Sequence, residues 1–159
     1  MSLQDKPAPT TDTPATMTMR PGRAEDFEFC RGLYFASMRP LLEALRAWNA
    51  KRAENAFKEY FKPEEIRIVL VDGTEVGWIQ VSETEREIHL DQIHLNEEMR
   101  GKGIGTRLIR ETMAEASRTG KPLLLSLLRG NRAMSLYRRL GFKPNGSDPT
   151  KLHMRWDVK

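Results

Sequence analysis

Cysteine is almost missing from this chain of 159 residues, where Cys30 stands alone. One thiol excludes an intrachain disulfide framework and every multi-cysteine zinc or iron–sulfur site. Histidine is scarce as well, and His89, His94 and His153 are dispersed, so no metal is expected. No apolar run approaches the ~20 residues of a membrane helix, and the first residues lack the apolar stretch of a secretory signal. A soluble, cytoplasmic protein with no membrane partner is therefore expected. One-sided charge is also absent: 26 Lys and Arg stand against 22 Asp and Glu, a net +4, and aromatics make up only 8%. So mild a balance, with few aromatics for base stacking, argues against a nucleic-acid partner and leaves room for a local polyanion site.

What is present fits one domain of ordinary size. Residues 1–15 carry Pro7, Pro14 and several threonines without apolar periodicity and read as a flexible tail before a single domain over 16–159. Met17 and Met19 alternate with polar neighbours as a short strand does, Pro21-Gly22 stops it, and Asp26 marks a helix start. From Phe27 to Tyr60 apolar residues recur at three and four, giving two helices with Pro40 as the break. Ile66–Val71 and Val76–Val81 flank Asp72-Gly73, a hairpin signal, and Ile88–Leu95 is a further strand. Ile104–Ser117 presents Leu108, Ile109, Met113 and Ala116 on one helical face, with Gly120 past its end. Pro122–Leu128 is almost wholly apolar and predicts a central strand covered on both faces. Ala133–Leu140 is a helix stopped by Gly141, and a short strand, a Gly146–Pro149 turn and a last alternating strand follow. Strands and helices mix in no regular order, so the class is mixed α+β.

Between Leu95 and the helix at Ile104 lies Arg100-Gly101-Lys102-Gly103-Ile104-Gly105-Thr106. Three alternate glycines let backbone N–H groups converge, and the helix N-terminus adds a positive dipole there, which suits phosphate oxygens. Glycine spacing alone serves an ordinary strand-to-helix turn equally well. The dinucleotide and Walker patterns do not fit, whereas Arg100, Lys102 and Arg107 supply cations for a di- or polyphosphate.

This loop resembles the acetyl-CoA pyrophosphate loop of the GCN5-related N-acetyltransferases, Arg/Gln-x-x-Gly-x-Gly/Ala, through Arg100, Gly103 and Gly105. Downstream, Asn131-Arg132-Ala133-Met134-Ser135-Leu136-Tyr137-Arg138-Arg139-Leu140-Gly141-Phe142 resembles the helix that closes the family's cofactor site, and Pro21–Asp26 resembles the family's opening segment. The resemblance, over Met17–Trp156, implies a mostly antiparallel sheet that splays between its fourth and fifth strands, Glu87–Leu95 and Pro122–Leu128. It implies acetyl-CoA as cosubstrate, its pantetheine arm in the opening against Ile93, His94 and Leu95. The pyrophosphate falls on Arg100, Gly101, Lys102, Gly103, Ile104, Gly105 and Thr106, with Asn131, Ala133 and Tyr137 beyond. The implied reaction is acetyl transfer to a primary amine of a small molecule or peptide, directly within a ternary complex. A homodimer stays open. The alternative is a non-catalytic acyl-CoA-binding module, which needs Gly103, Gly105 and Asn131 but not Tyr137.

Transfer from a thioester to an amine needs a neutral nucleophile, a stabilised oxyanion and a protonated thiolate. By resemblance Tyr137 is the general acid, and Asp91 or His89, two apart on one side of their strand, is the base or a water-holding residue; Gln92 and His94 are expected on the other face. Read without the family, Tyr137 is a packing residue, Asn131 a helix cap and Asp91 a strand-end hydrogen-bonding residue. The oxyanion falls to a backbone N–H near Leu95. Trp48, Tyr34 and Met38 are core or acceptor-pocket walls, Cys30 is a buried apolar residue, and His153 is a surface histidine within reach of the acceptor site.

Overall fold

The computed structural model describes residues 16–158, so the expected tail over 1–15 lies outside the described residues. Strand β1 (Met17–Pro21) leads into helix α1 (Phe27–Ala44), for which Asp26 is the N-cap residue, and α2 (Ala50–Tyr60) follows. Asn49 caps α2, its Oδ1 accepting from the Arg52 N–H at 2.8 Å. Next come β2 (Ile66–Val71), β3 (Thr74–Glu83), β4 (Ile88–Leu95), α3 (Ile104–Thr119), β5 (Leu123–Leu128), α4 (Ala133–Arg139), β6 (Lys143–Ser147) and β7 (Lys151–Trp156).

The strands form one sheet in the order β1-β2-β3-β4-β5-β7-β6, antiparallel except for the β4–β5 pair. Asp72 and Gly73, at φ 50° and 82°, make the tight β2–β3 turn that their sequence signals. Apolar alternation splits the core in two. On one face α3 and α4 pack Leu108, Ile109, Ala116 and Tyr137 onto Val69, Ile79, Leu90, Leu125 and Met154. On the other, α1 and α2 pack Cys30, Tyr34 and Phe57 onto Ile66, Ile68 and Trp78.

Two expectations need correction. Pro40 does not break the helix: α1 runs through it to Ala44, and the break follows at Leu45–Asn49. Both Pro40 and Ala36 are exposed, so the carbonyl that loses its partner beneath the proline ring can be hydrated. Strand β5 is covered along its whole length on one face only: Leu123, Leu125 and Leu127 are buried there, whereas on the other face Leu128 is buried but Leu124 and Ser126 turn toward a cleft.

Candidate active site

The sheet opens where its one parallel pair ends. Strands β4 and β5 are in register only at Ile88–Leu123, His89–Leu124 and Leu90–Leu125. Asp91 and Ser126 are thus the first residues past the fork, one from each strand, and both line the cavities on either side of it. The smaller cavity, about 120 Å³, lies within the opening and is lined by Ile93, His94, Leu127, Asn131 and Tyr137. The larger, about 480 Å³, lies on the α1–α2 side between the segment Tyr60–Glu65 and the β6–β7 hairpin.

A β-bulge sets the chemistry of β4. Its pairing with β3 shifts between Gln80 and Val81, so that Gln80 faces Gln92 while Val81 faces Leu90, and Asp91 is the extra residue. The bulge overturns the expected facing: His89, Gln92 and His94 share the α1–α2 face, opposite Ser82, Gln80 and Trp78 respectively. It also switches which backbone groups look into the opening. The Ile88 N–H donates toward β5, to Pro122 O at 3.0 Å, but beyond the bulge the Asn96 N–H donates back to Val76 O at 2.8 Å. By strand alternation the N–H groups of Ile93 and Leu95 therefore face the opening. Gly77 lets β3 and β4 approach here, because a Cβ on it would stand 2.4 Å from His94 O.

At the far end of the opening, Gly101 and Gly103 take φ 76° and 82°, and Gly103 caps α3 in the left-handed conformation. The amides of Gly101, Lys102, Gly103, Ile104, Gly105 and Thr106 have no hydrogen-bond acceptor among the described residues, and nothing lies within 4 Å of a Cβ built on Gly101 or Gly103. A row of free donors at a helix N-terminus, with the exposed cations Arg100, Lys102 and Arg107 beside it, fits a pyrophosphate. Arg100 reaches across to Ser37 Oγ of α1 at 3.4 Å.

Tyr137, on α4, is 5% exposed, edge-on to Phe142 with ring centroids 5.5 Å apart, and its phenol lines the opening. Burial pushes its pKa up to about 12, so it is a proton donor at neutral pH. Asn131 Oδ1 accepts from the Ala133 N–H at 2.9 Å in the turn that leads into α4, and this bond leaves its amide NH₂ free. Asp91 accepts from Ser82 Oγ at 2.6 Å; it is exposed to the cavities, yet the walls around it desolvate its carboxyl and raise the pKa above the ordinary value. His89 pairs with Glu87 at 3.2 Å and faces the larger cavity. His94 is buried between Tyr34 and Trp78, its Nε2 at 2.7 Å from Gln92 Oε1; burial pushes its pKa down to about 3, so it stays neutral.

Of the other residues singled out, Met38 lines the opening, Tyr34 is core, and Trp48 packs edge-on against Phe35. Cys30 is buried, its thiol pushed up to about 12. Sequence reasoning missed Ser126, Lys62, Glu65, Gln80 and Lys151 on the larger cavity. Ser126 alone left a signal, as the one polar side chain within Leu123–Leu128. Among the described residues no group of His, Cys, Asp and Glu could hold a metal ion, and no helix is long and apolar enough to cross a membrane.

Residues 62–144 match the model of the acetyltransferase (GNAT) domain. No curated protein matches the sequence. Among solved structures the chain is similar to the PaiA N-acetyltransferase from Thermoplasma acidophilum in complex with coenzyme A, at 19% identity and TM-score 0.73 over 90% of this chain and 99% of that one. It is also similar to a ribosomal-protein-alanine N-acetyltransferase from Escherichia coli, at 16% identity and TM-score 0.68, covering 91% and 95% of the two chains. An N-acetyltransferase from Staphylococcus aureus gives 16% identity and TM-score 0.67 over 87% of this chain and 100% of that one. Identities this low speak to the fold.

Proposed function

Because the chain belongs to the GNAT acetyltransferase family and so is an acetyl-CoA-dependent acetyltransferase, we propose that it acetylates a primary amine of a small molecule or peptide by direct transfer within a ternary complex. The observation that carries this is the continuity of the site: free amides at 101–106, an opening beside β4 with Tyr137 on its wall, and a separate polar chamber beyond the fork.

Acetyl-CoA supplies the activated acetyl group when bound. Amides of the glycine loop and Arg100 and Lys102 hold its pyrophosphate, while Ile93 and Leu95 offer strand-like backbone partners to its amide-bearing arm. Asn131 donates to that arm through its free NH₂, and Ala133 packs at the helix start. His94 contributes its backbone and a neutral, buried ring that fixes the strand. The acceptor amine enters the larger chamber. An alkylamine is charged at neutral pH, and Asp91, raised in basicity by desolvation, takes its proton. The Leu95 N–H stabilises the developing oxyanion. Tyr137 gives its proton to the departing sulfur, a step its burial prepares by keeping the phenol protonated. His89, already paired with Glu87, orders water at the chamber wall.

Initial-rate kinetics test the scheme. Direct transfer predicts intersecting double-reciprocal lines when acetyl-CoA and amine are varied together. Parallel lines, the mark of a covalent acetyl-enzyme, overturn it.

A further inference from the structure

Ser126, the serine at the fork, belongs to a chain of polar groups that the scheme above leaves unused. Strands β5 and β7 pair Ser126 with His153 in register, and Ser126 Oγ lies 2.6 Å from His153 Nδ1. On the other side of the ring, His153 Nε2 stands 3.7 Å from Asp148 Oδ2. Asp148 is itself held fast: its Oδ1 accepts from the N–H groups of Thr150 and Lys151 at 2.9 and 2.7 Å, and these bonds keep its carboxyl below the ordinary carboxylate range. A fixed anion thus faces one ring nitrogen and a hydroxyl the other. Ser126 and His153 both line the 480 Å³ chamber, and Ser126 alone of the three also borders the opening expected to hold the thioester.

The proton count of the reaction gives this array a task. A charged amine, R–NH₃⁺, loses one proton before it attacks and a second once the N–C bond has formed, while the thiolate takes up one. Asp91 accounts for the first loss and Tyr137 for the uptake. We propose that Ser126 and His153 accept the second proton: as the N–C bond forms and the C–S bond breaks, the amide nitrogen's proton passes to Ser126 Oγ while the hydroxyl proton passes to His153 Nδ1. The imidazolium faces Asp148, which acts as a positioning residue, and releases its proton to solvent through the exposed side of the chamber. The other charged or titratable groups of the chamber are Asp91 and His89 on β4, Tyr60 at the end of α2, Lys62 and Glu65 before β2, and Lys151 on β7. The ammonium groups of Lys62 and Lys151 have no lone pair to take a proton, the neutral phenol oxygen of Tyr60 is a poor base, His89 is engaged by Glu87, and Glu65 already accepts from Gln80 Nε2 at 2.9 Å.

This inference rests on the proposed transfer to an amine, and the test separates the two. Ser126→Ala, His153→Gln, Asp148→Asn and the Ser126→Ala/His153→Gln double variant are compared with Asp91→Asn at pH 7 and pH 9, and acetyl-CoA binding is followed by melting shift. Loss of Ser126 or His153 is expected to lower kcat about 10- to 100-fold. The double variant is expected to be no slower than the worse single one, because either break severs the same relay. The loss persists at pH 9, where Asp91→Asn recovers because free amine is about 100-fold more plentiful than at pH 7, and the acetyl-CoA melting shift is unchanged throughout. Asp148→Asn shows a smaller loss in kcat. Single variants within about twofold of wild type, losses that multiply in the double variant, or recovery of His153→Gln at pH 9 in step with Asp91→Asn overturn the relay while leaving amine acetylation in place. A wild-type protein that acetylates no amine overturns both.

Discussion

Replacing Gly105 with valine separates loop function from loop stability. Gly105 is the second residue of α3, its φ is not positive, and the nearest atom to a Cβ there is Leu95 Cδ1 at 4.0 Å. The free protein has room for the side chain, and exchanging glycine for valine in a helix contributes about 0.3 kcal/mol, so the melting temperature should hold or rise slightly. The isopropyl group projects into the space beside the free amides, where the pyrophosphate is to sit. For wild type, acetyl-CoA at about 100 times its Kd stabilises by about 2.7 kcal/mol. At about 2–4 °C per kcal/mol for a chain of this size, that is a shift of about 5–11 °C. Gly105→Val should shift by less than about 1 °C under the same conditions. Gly103→Val behaves differently, because a β-branched residue must hold φ 82° there; the strain, about 1–3 kcal/mol, lowers the melting temperature of the free protein by several degrees. Scanning fluorimetry with and without acetyl-CoA reads both variants. A wild-type-sized shift in Gly105→Val would refute the placement of the pyrophosphate on this loop.

Other perturbations probe the chemistry and the frame. Tyr137→Phe keeps the ring against Phe142 and removes the donor, so kcat should fall by about 10²-fold with acetyl-CoA affinity intact; unchanged kcat under limiting chemistry makes Tyr137 a packing residue. Asp91→Asn should lower the rate most below pH 8 and recover toward the acceptor's pKa, checked by pH–rate profiles; a uniform loss marks a structural role. Asp26, buried at the start of α1, accepts from the Arg20 guanidinium at 2.8 and 3.0 Å and from the Arg23 N–H at 2.8 Å, and the Arg20 bonds above all hold its carboxyl below the ordinary value. Its depressed pKa means that its contribution is present above the ordinary carboxylate pKa and is lost as pH falls through the folded value. Asp26→Asn should therefore cost about 2–3 kcal/mol at pH 7 and flatten the acid limb of stability in urea titrations between pH 6 and pH 2.

Local chemistry made much of this molecule legible before its structure. The Asp72-Gly73 turn, the Gly120 and Gly141 helix stops and the strand Ile88–Leu95 are each written in a few adjacent residues, and the structure places them there. The glycine loop was legible for the same reason, since free amides at a helix start are a property of short-range backbone geometry. What escaped depends on partners far away in sequence. The bulge at Asp91 arises from the match of β3 to β4, and without it the facing of His89 against Gln92 and His94 comes out wrong. Ser126 looked like one polar residue in an apolar strand; only the short register of β4 against β5 makes it the mouth of the fork, and only β7 brings His153 to it. Pro40 misled because the penalty for a proline inside a helix depends on whether water can reach the freed carbonyl, which is a matter of exposure rather than of sequence.

Acetyl transfer to an amine is read out by the release of free CoA thiol from acetyl-CoA by the purified protein across a panel of amines, with mass spectrometry of each amine. Thiol release that depends on an amine, with one N-acetyl product formed per thiol and about 10²-fold slower turnover in Tyr137→Phe, is the predicted result. Tight binding of acetyl-CoA with no amine-dependent thiol release from any member of the panel would contradict it and leave a protein that only binds the acyl carrier.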